Sequence, residues 1–199
     1  MPRRKMTQWF KDSRASKIKI TRARKNGDWA ILQSATSVLQ RANKQRFSLS
    51  KNGRRVQVLE TYEDIDDIKD NGRYLVCPPL VARNAGDLQI SLDERGFSAV
   101  VLCREPKTQL GLCPVVTLGD NTTVRSQIKE PTNPIKPTAG WFDSGIDELG
   151  QIIVEKTNTF ATNDRKLDYL LGHLCAVPAY DGLYVAIITT CDALIETSG

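Results

Sequence analysis

The chain has 199 residues, of which 40% are hydrophobic and 26% are charged, with a formal net charge of +5. This usage is typical of globular proteins, so it excludes a wholly disordered chain, and the length predicts a single folded core with an appendage. The longest apolar run near the end, residues 182–188, is far shorter than the roughly 20 residues that cross a bilayer. No transmembrane helix and no signal peptide are predicted.

The first predicted element is a basic N-terminal arm. Residues 1–55 contain 16 Lys and Arg but only 2 Asp and Glu, a net charge of +14, whereas the remaining residues have a net charge of −9. A basic segment of this kind favours a polyanionic partner, and each phosphate that it neutralises releases a counterion. Nine residues of the arm are the candidate phosphate contacts: Arg3, Arg4, Lys5, Arg14, Lys17, Lys19, Arg22, Arg24 and Lys25.

Aromatic residues lie among these charges, and exposed rings can stack on unpaired bases. They favour single-stranded nucleic acid as the partner, and they are Trp9, Phe10, Trp29 and Phe47. Two alternatives stay open for the same charges. The segment could be a solvated tail, or it could contact an anionic membrane surface.

Residues 1–26 lack a clear apolar period, so we expect a mobile arm there. Beyond Asn26 and Gly27 the apolar residues recur at helical spacing, and Asp28 is a possible N-cap. The pattern predicts one amphipathic helix from Asp28 to about Gln45, with an apolar face formed by Ile31, Leu32, Ala35, Val38, Leu39 and Ala42.

The rest of the chain, residues 56–199, is predicted to be a β-rich domain. Short runs rich in Val, Ile and Leu recur between Gly, Pro, Asn and Asp, at residues 55–60, 74–77, 88–92, 99–103, 115–118, 152–156 and 183–190. Seven such runs favour a mainly β fold, an antiparallel sandwich or a partly closed barrel. The proline-rich residues 130–137 read as a surface connection, and residues 163–174 as one short helix.

Residues that could carry chemistry are few. His173, the single histidine, has apolar neighbours and reads as a packed imidazole rather than a general base. The acidic residues 63–67 could hold calcium but fit a solvated loop better, and zinc-ligand spacing is absent. The five scattered cysteines, Cys77, Cys103, Cys113, Cys175 and Cys191, read as core residues. We therefore predict no cofactor, no metal and no enzymatic activity.

One stretch goes beyond composition. Residues 79–86, with the sequence PLVARNAG, are followed by DLQISLDER at residues 87–95, in which Leu88, Ile90 and Leu92 alternate with polar residues as in a half-buried strand. This stretch resembles the core of plant-virus movement proteins of the thirty-kilodalton superfamily, particularly the small tombusvirus type. In that family a similar segment leads into a strand that ends near a characteristic aspartate, and Asp93 occupies the matching place.

The resemblance covers under a tenth of the chain, and the excess of positive charge before the β-rich region departs from the family pattern. It implies a jelly-roll-like fold, cooperative binding of single-stranded RNA, association with membranes, and transport of a viral genome through plasmodesmata. The location that it implies is the host cell cytoplasm.

Three hypotheses follow from the sequence. The first is a viral movement protein that binds single-stranded RNA through its arm and forms homo-oligomers through its β-rich domain. The second is a small icosahedral coat protein, located in the virion, whose arm neutralises packaged RNA inside a jelly-roll shell. The third is a membrane-associated matrix protein that uses Trp29, Ile31 and the surrounding positive charge at a bilayer surface.

Overall fold

A computed structural model describes residues 8–51, 55–109 and 111–198. It begins with an antiparallel pair of helices, α1 (Gln8–Asn26) and α2 (Trp29–Ser50). Gly27, at a φ of 70°, makes the reversal between them, and the Asp28 side chain caps α2 by accepting a hydrogen bond from the amide of Ile31. The predicted amphipathic helix and its cap are confirmed, although the helix continues past Gln45 to Ser50 and Ile31, predicted on its apolar face, is exposed.

The mobile arm predicted for residues 1–26 is wrong for residues 8–26, which form α1. The buried side of α1 recurs every three or four residues, as a helix requires, but it contains small and polar residues: Phe10, Ser13, Ser16, Ile20 and Ala23. Because two of these are serines, the helical period is hidden from a search for apolar residues. Arg3, Arg4 and Lys5 lie outside the described residues.

The remaining elements alternate between strands and helices before a helical C-terminal part. In order they are β1 (Val56–Leu59), α3 (Tyr62–Asp66), β2 (Gly72–Val76), α4 (Ala82–Glu94), β3 (Ala99–Arg104), β4 (Cys113–Leu118), β5 (Thr123–Ile128), α5 (Ala139–Lys156), a 3-10 turn (Thr157–Thr159), α6 (Asn163–His173) and α7 (Asp181–Ser198). The short helix predicted at residues 163–174 is confirmed as α6.

The strands form one mixed sheet in the order β1-β2-β3-β4-β5. The first three strands are parallel, with α3 and α4 as the crossovers that parallel neighbours need. Strand β4 pairs antiparallel with β3, and β5 pairs antiparallel with β4. The sheet is not closed, and helices hold more than half of the described residues. The mainly β prediction, sandwich, barrel or jelly roll, is therefore wrong, and the fold is of the α/β class.

The error arose from three runs that are helical and not extended. Residues 88–92 lie in α4, residues 152–156 in α5 and residues 183–190 in α7. In α4 the buried residues are Ala85, Leu88 and Leu92, whereas Ile90 is 56% exposed. The spacing of the buried residues is helical, so the apparent alternation in the segment that carries the movement-protein resemblance does not mark a strand.

Two hydrophobic cores lie on opposite faces of the sheet. The larger contains residues of α1, α2, α5, α6 and α7, and the smaller lies beneath α4. Leu32 and Leu39 of α2 belong to the same core as Leu75 of β2 and Leu102 of β3. The hydrophobic core thus runs across the boundary predicted at residue 55.

The sheet is split between β3 and β4. These strands pair only at Cys103 with Val116 and at Arg104 with Val115, so the first half of β3 has no strand on that side. The Gln89 side chain of α4 replaces the missing strand, because its Oε1 accepts from the amide of Val101 at 3.1 Å and its Nε2 donates to the carbonyl of Ala99 at 3.3 Å. A narrow cavity lies beside the split, and Phe47 of α2 and Ile146 of α5 are among the residues that line it.

Candidate nucleic-acid interface

The outward side of α1 has an exposed basic surface. Lys11, Arg14, Lys19, Arg22 and Lys25 are all exposed, and none of them is within 4 Å of a carboxylate of the described residues. Lys11 and Lys25 are fourteen residues apart, about 21 Å along the helix at 1.5 Å per residue. We call these five residues the basic face of α1.

Buried polar contacts fix α1 against the rest of the protein. The Ser13 hydroxyl donates to Oδ1 of Asn43 at 3.2 Å, and Nδ2 of Asn43 donates to the hydroxyl of Tyr184 at 2.7 Å. Tyr184 in turn donates to the carbonyl of Pro178 at 2.8 Å. This chain of hydrogen bonds connects α1, α2 and α7 inside the larger core, so it fixes the orientation of the helix that bears the basic face.

Two of the predicted phosphate contacts face the protein instead. Arg24 makes two hydrogen bonds to Asp168 of α6, at 2.6 and 2.9 Å, and lies 3.3 Å from Asp164. These hydrogen bonds raise the pKa of Arg24 and lower the pKa of Asp168. Lys17 is half-buried beside the thiol of Cys175. Of the six predicted contacts within α1, four lie on one exposed face, namely Arg14, Lys19, Arg22 and Lys25. Lys11 lies on the same face but was not predicted as a contact.

Most of the aromatic residues expected to stack on bases are not available for stacking. Phe10 and Phe47 are buried, and their rings flank the guanidinium of Arg46 at 4.5 and 4.8 Å. Trp29 is half-buried beneath Arg24, 5.1 Å from its guanidinium carbon. Trp9 alone among the four is exposed, at 39%.

Arg46 is a buried charge that sequence analysis did not single out. Its side chain is 4% exposed and forms an ion pair with Asp93 of α4, which also accepts a hydrogen bond from Gln89 at 2.9 Å. Burial lowers the pKa of Arg46 to about 10, so the guanidinium remains charged at neutral pH. Asp93, the aspartate of the movement-protein resemblance, thus connects α4 to α2.

The groups considered for catalysis or metal binding are packed or separated. The imidazole of His173 hydrogen bonds through Nδ1 to the carbonyl of Tyr169 at 2.7 Å, and the two rings lie 4.2 Å apart. Burial raises the pKa of Cys77 to about 11 and of Cys103 to about 12. The acidic residues 63–67 lie largely in α3 rather than in a loop, and the described ranges contain no cluster of three His, Cys, Asp or Glu that could hold a metal.

The described chain is thus an α/β protein with a helical hairpin whose outer helix presents a basic face. Among the helices of residues 8–51, 55–109 and 111–198, none is both long and apolar enough to span a membrane. In comparisons with protein-family models, curated proteins and solved structures, nothing matches this chain.

Proposed function

We propose that this protein binds nucleic acid through the basic face of α1, and that single-stranded RNA is its partner. The observation that carries the proposal is the alignment of Lys11, Arg14, Lys19, Arg22 and Lys25 along one exposed side of a helix, without carboxylate partners in the described chain. Five unpaired cations at helical spacing repel one another, and phosphates would relieve that repulsion.

Lysine and arginine side chains on one helix face contact phosphates rather than read bases. Phe10 and Phe47 are buried, and Trp9 lies on the opposite side of α1 from the basic face, so base stacking contributes little to binding on that face. We therefore expect binding with little sequence preference and strong dependence on salt. Five phosphate contacts to a single strand contribute a slope of about −3.5 to the dependence of log affinity on log salt concentration.

The test replaces all five residues of the basic face with glutamine: Lys11, Arg14, Lys19, Arg22 and Lys25. Affinity for a labelled single-stranded RNA is measured by fluorescence anisotropy between about 50 and 200 mM salt, where phosphate-driven binding changes most. The variant is expected to bind much more weakly and with a shallower salt slope. Helicity measured by circular dichroism shows whether α1 has stayed folded.

A matched control removes the same charge from elsewhere on the surface. Three lysines and two arginines outside the hairpin are changed to glutamine: Lys129, Lys136, Lys156, Arg83 and Arg165. This control is expected to keep most of the affinity and the salt slope. An equal loss in both variants, or no binding by the native chain at low salt, would contradict the proposal.

The other partners expected from the sequence are outcomes of parallel assays. A duplex of the same length measures the preference for single strands, and flotation with neutral and anionic liposomes measures contact with a membrane surface. Transport of a viral genome between cells stays a prediction from the resemblance. A coat-protein role also stays a prediction, but the jelly-roll shell expected for it is wrong, because the sheet is mixed and open.

A further inference from the structure

A groove lies where the second half of α2, the first half of α5 and the start of α7 meet beside the split in the sheet. Its volume is about 340 Å³, within the range of small-molecule sites. Phe47, Val100, Ile146 and Pro178 supply an apolar floor. The charged residues on its rim are Lys44, Lys51, Asp143, Asp147 and Asp181.

The groove adjoins a narrow cavity of about 20 Å³ inside the split. The two spaces share five lining residues, namely Phe47, Val100, Ile146, Pro178 and Ala179. Thr117 of β4 also lines the narrow cavity and is 5% exposed, and its hydroxyl has no hydrogen-bond partner among the described residues. A buried hydroxyl without a partner costs free energy, so a polar group is expected to occupy this cavity.

The three carboxylates of the rim differ in their partners. Asp143 accepts two hydrogen bonds from Arg73, at 2.8 and 2.9 Å, and Asp181 accepts one from the Gln40 amide at 2.9 Å. Asp147 accepts no hydrogen bond from the described residues. Partial burial and the neighbouring Asp143 raise its pKa, and the weaker influence of Lys51 in the opposite direction does not cancel them. A positive charge placed beside Asp147 would stabilise its carboxylate.

We propose that this groove binds a small amphipathic molecule that has an ammonium group at one end and a hydroxyl at the other. The ammonium group pairs with Asp147, the apolar part lies on Phe47, Val100 and Ile146, and the hydroxyl enters the narrow cavity and hydrogen bonds to Thr117. Such a ligand offers complementary chemistry to the buried Thr117 hydroxyl and to the exposed Asp147 carboxylate.

Charge distinguishes this ligand from an anion. Lys44 and Lys51 on the rim are exposed. Asp143 is paired with Arg73, so Asp147 and Asp181 are the carboxylates that remain opposite these lysines. An anion would have to approach Asp147 and Asp181, at a cost in Coulomb energy. The competing explanation for Thr117 is one ordered water, which a cavity of about 20 Å³ can hold.

The test uses three probes with the full chain: tyramine, which has both polar ends, phenethylamine, which lacks the hydroxyl, and 4-ethylphenol, which lacks the ammonium group. Dissociation constants come from calorimetry, and chemical shifts report the residues affected. We expect tyramine to bind roughly tenfold more tightly than either of the other probes, because each of them lacks one polar contact and tenfold corresponds to about 1.4 kcal/mol.

Two variants assign the contacts. Asp147→Asn is expected to remove the higher affinity of tyramine relative to 4-ethylphenol. Thr117→Val is expected to remove the higher affinity of tyramine relative to phenethylamine. Asp66→Asn, an exposed carboxylate in α3, is the matched control and is expected to change neither ratio. Absence of binding by all three probes, or equal affinities in all variants, would overturn the proposal. Equal affinities in all variants would mean that an ordered water, and not a ligand, hydrogen bonds to the Thr117 hydroxyl.

Discussion

Asn43 occupies the centre of the buried hydrogen-bond chain between Ser13 and Tyr184. It is 2% exposed, and both ends of its amide have partners. Replacing Asn43 would leave its buried partners without hydrogen bonds. A buried polar group without a partner costs more free energy than a single hydrogen bond contributes.

Asn43→Leu is expected to lower the free energy of unfolding by about 2 to 3 kcal/mol, because it leaves the Ser13 and Tyr184 hydroxyls with fewer partners in the core. Urea denaturation followed by circular dichroism measures the change. Gln45→Leu, two residues away on the exposed side of α2, is the control and should stay within about 0.5 kcal/mol of the native chain. A similar loss in both variants would show that the hydrogen-bond chain contributes little.

Helix α1 is connected to α6 at its C-terminal end by Arg24 and Asp168. The Arg24 hydrogen bonds lower the pKa of Asp168, so the folded protein holds that proton less tightly than the unfolded chain does. The stabilisation is therefore fully present above the ordinary aspartate pKa of about 3.9 and is lost as the pH falls through the lowered value. The Asp168 side chain is 61% exposed, so solvent screening limits the effect.

Asp168→Asn is expected to destabilise the protein by at most about 1 kcal/mol at pH 7, and by progressively less as the pH falls below about 4. Urea titrations of both proteins at several pH values measure this difference. Asp192→Asn, on α7, is the comparison, because Asp192 is paired with the neutral Gln33 and not with a cation. A difference for Asp168→Asn that did not change with pH would contradict a charge interaction between α1 and α6.

Individual helices and strands were predictable from the sequence to different extents. The cap at Asp28 and the apolar period predicted α2, and four of the seven expected strand runs correspond to β1, β2, β3 and β4. Strand β5 was missed because its inward positions include Ser126, so its alternation is not apolar. Helices α4, α5 and α7 were predicted as strands because a short apolar run fits both the helical period and the strand period. Contacts between residues distant in sequence decide which of the two structures forms.

Over the whole molecule, four free thiols are buried, at Cys77, Cys103, Cys113 and Cys191. Cys77 and Cys191 lie in the larger core and Cys103 in the smaller one. Burial raises the pKa of these four thiols and also that of Cys175, which disfavours the reactive thiolate in all five, but Cys175 is only half-buried and is therefore the most accessible. The prediction that cysteines are core residues is confirmed at these four positions.

In the folded protein, a thiol reagent such as Ellman's reagent is expected to modify Cys175 first and the four buried cysteines only as the protein opens. In denaturant all five should react rapidly. Mass spectrometry of partially modified protein identifies the order. Rapid reaction of Cys103 or Cys191 under native conditions would contradict the packing of the sheet described here.

The sequence by itself determined the division of charge between residues 1–55 and the rest of the chain, because net charge is a sum that does not depend on folding. Local capping and spacing likewise determined α2. Tertiary structure decided that Lys11 and Arg22 are exposed, that Arg24 pairs with Asp168, and that Phe10 and Phe47 enclose Arg46. These outcomes depend on burial, which elements far apart in sequence create together when they pack.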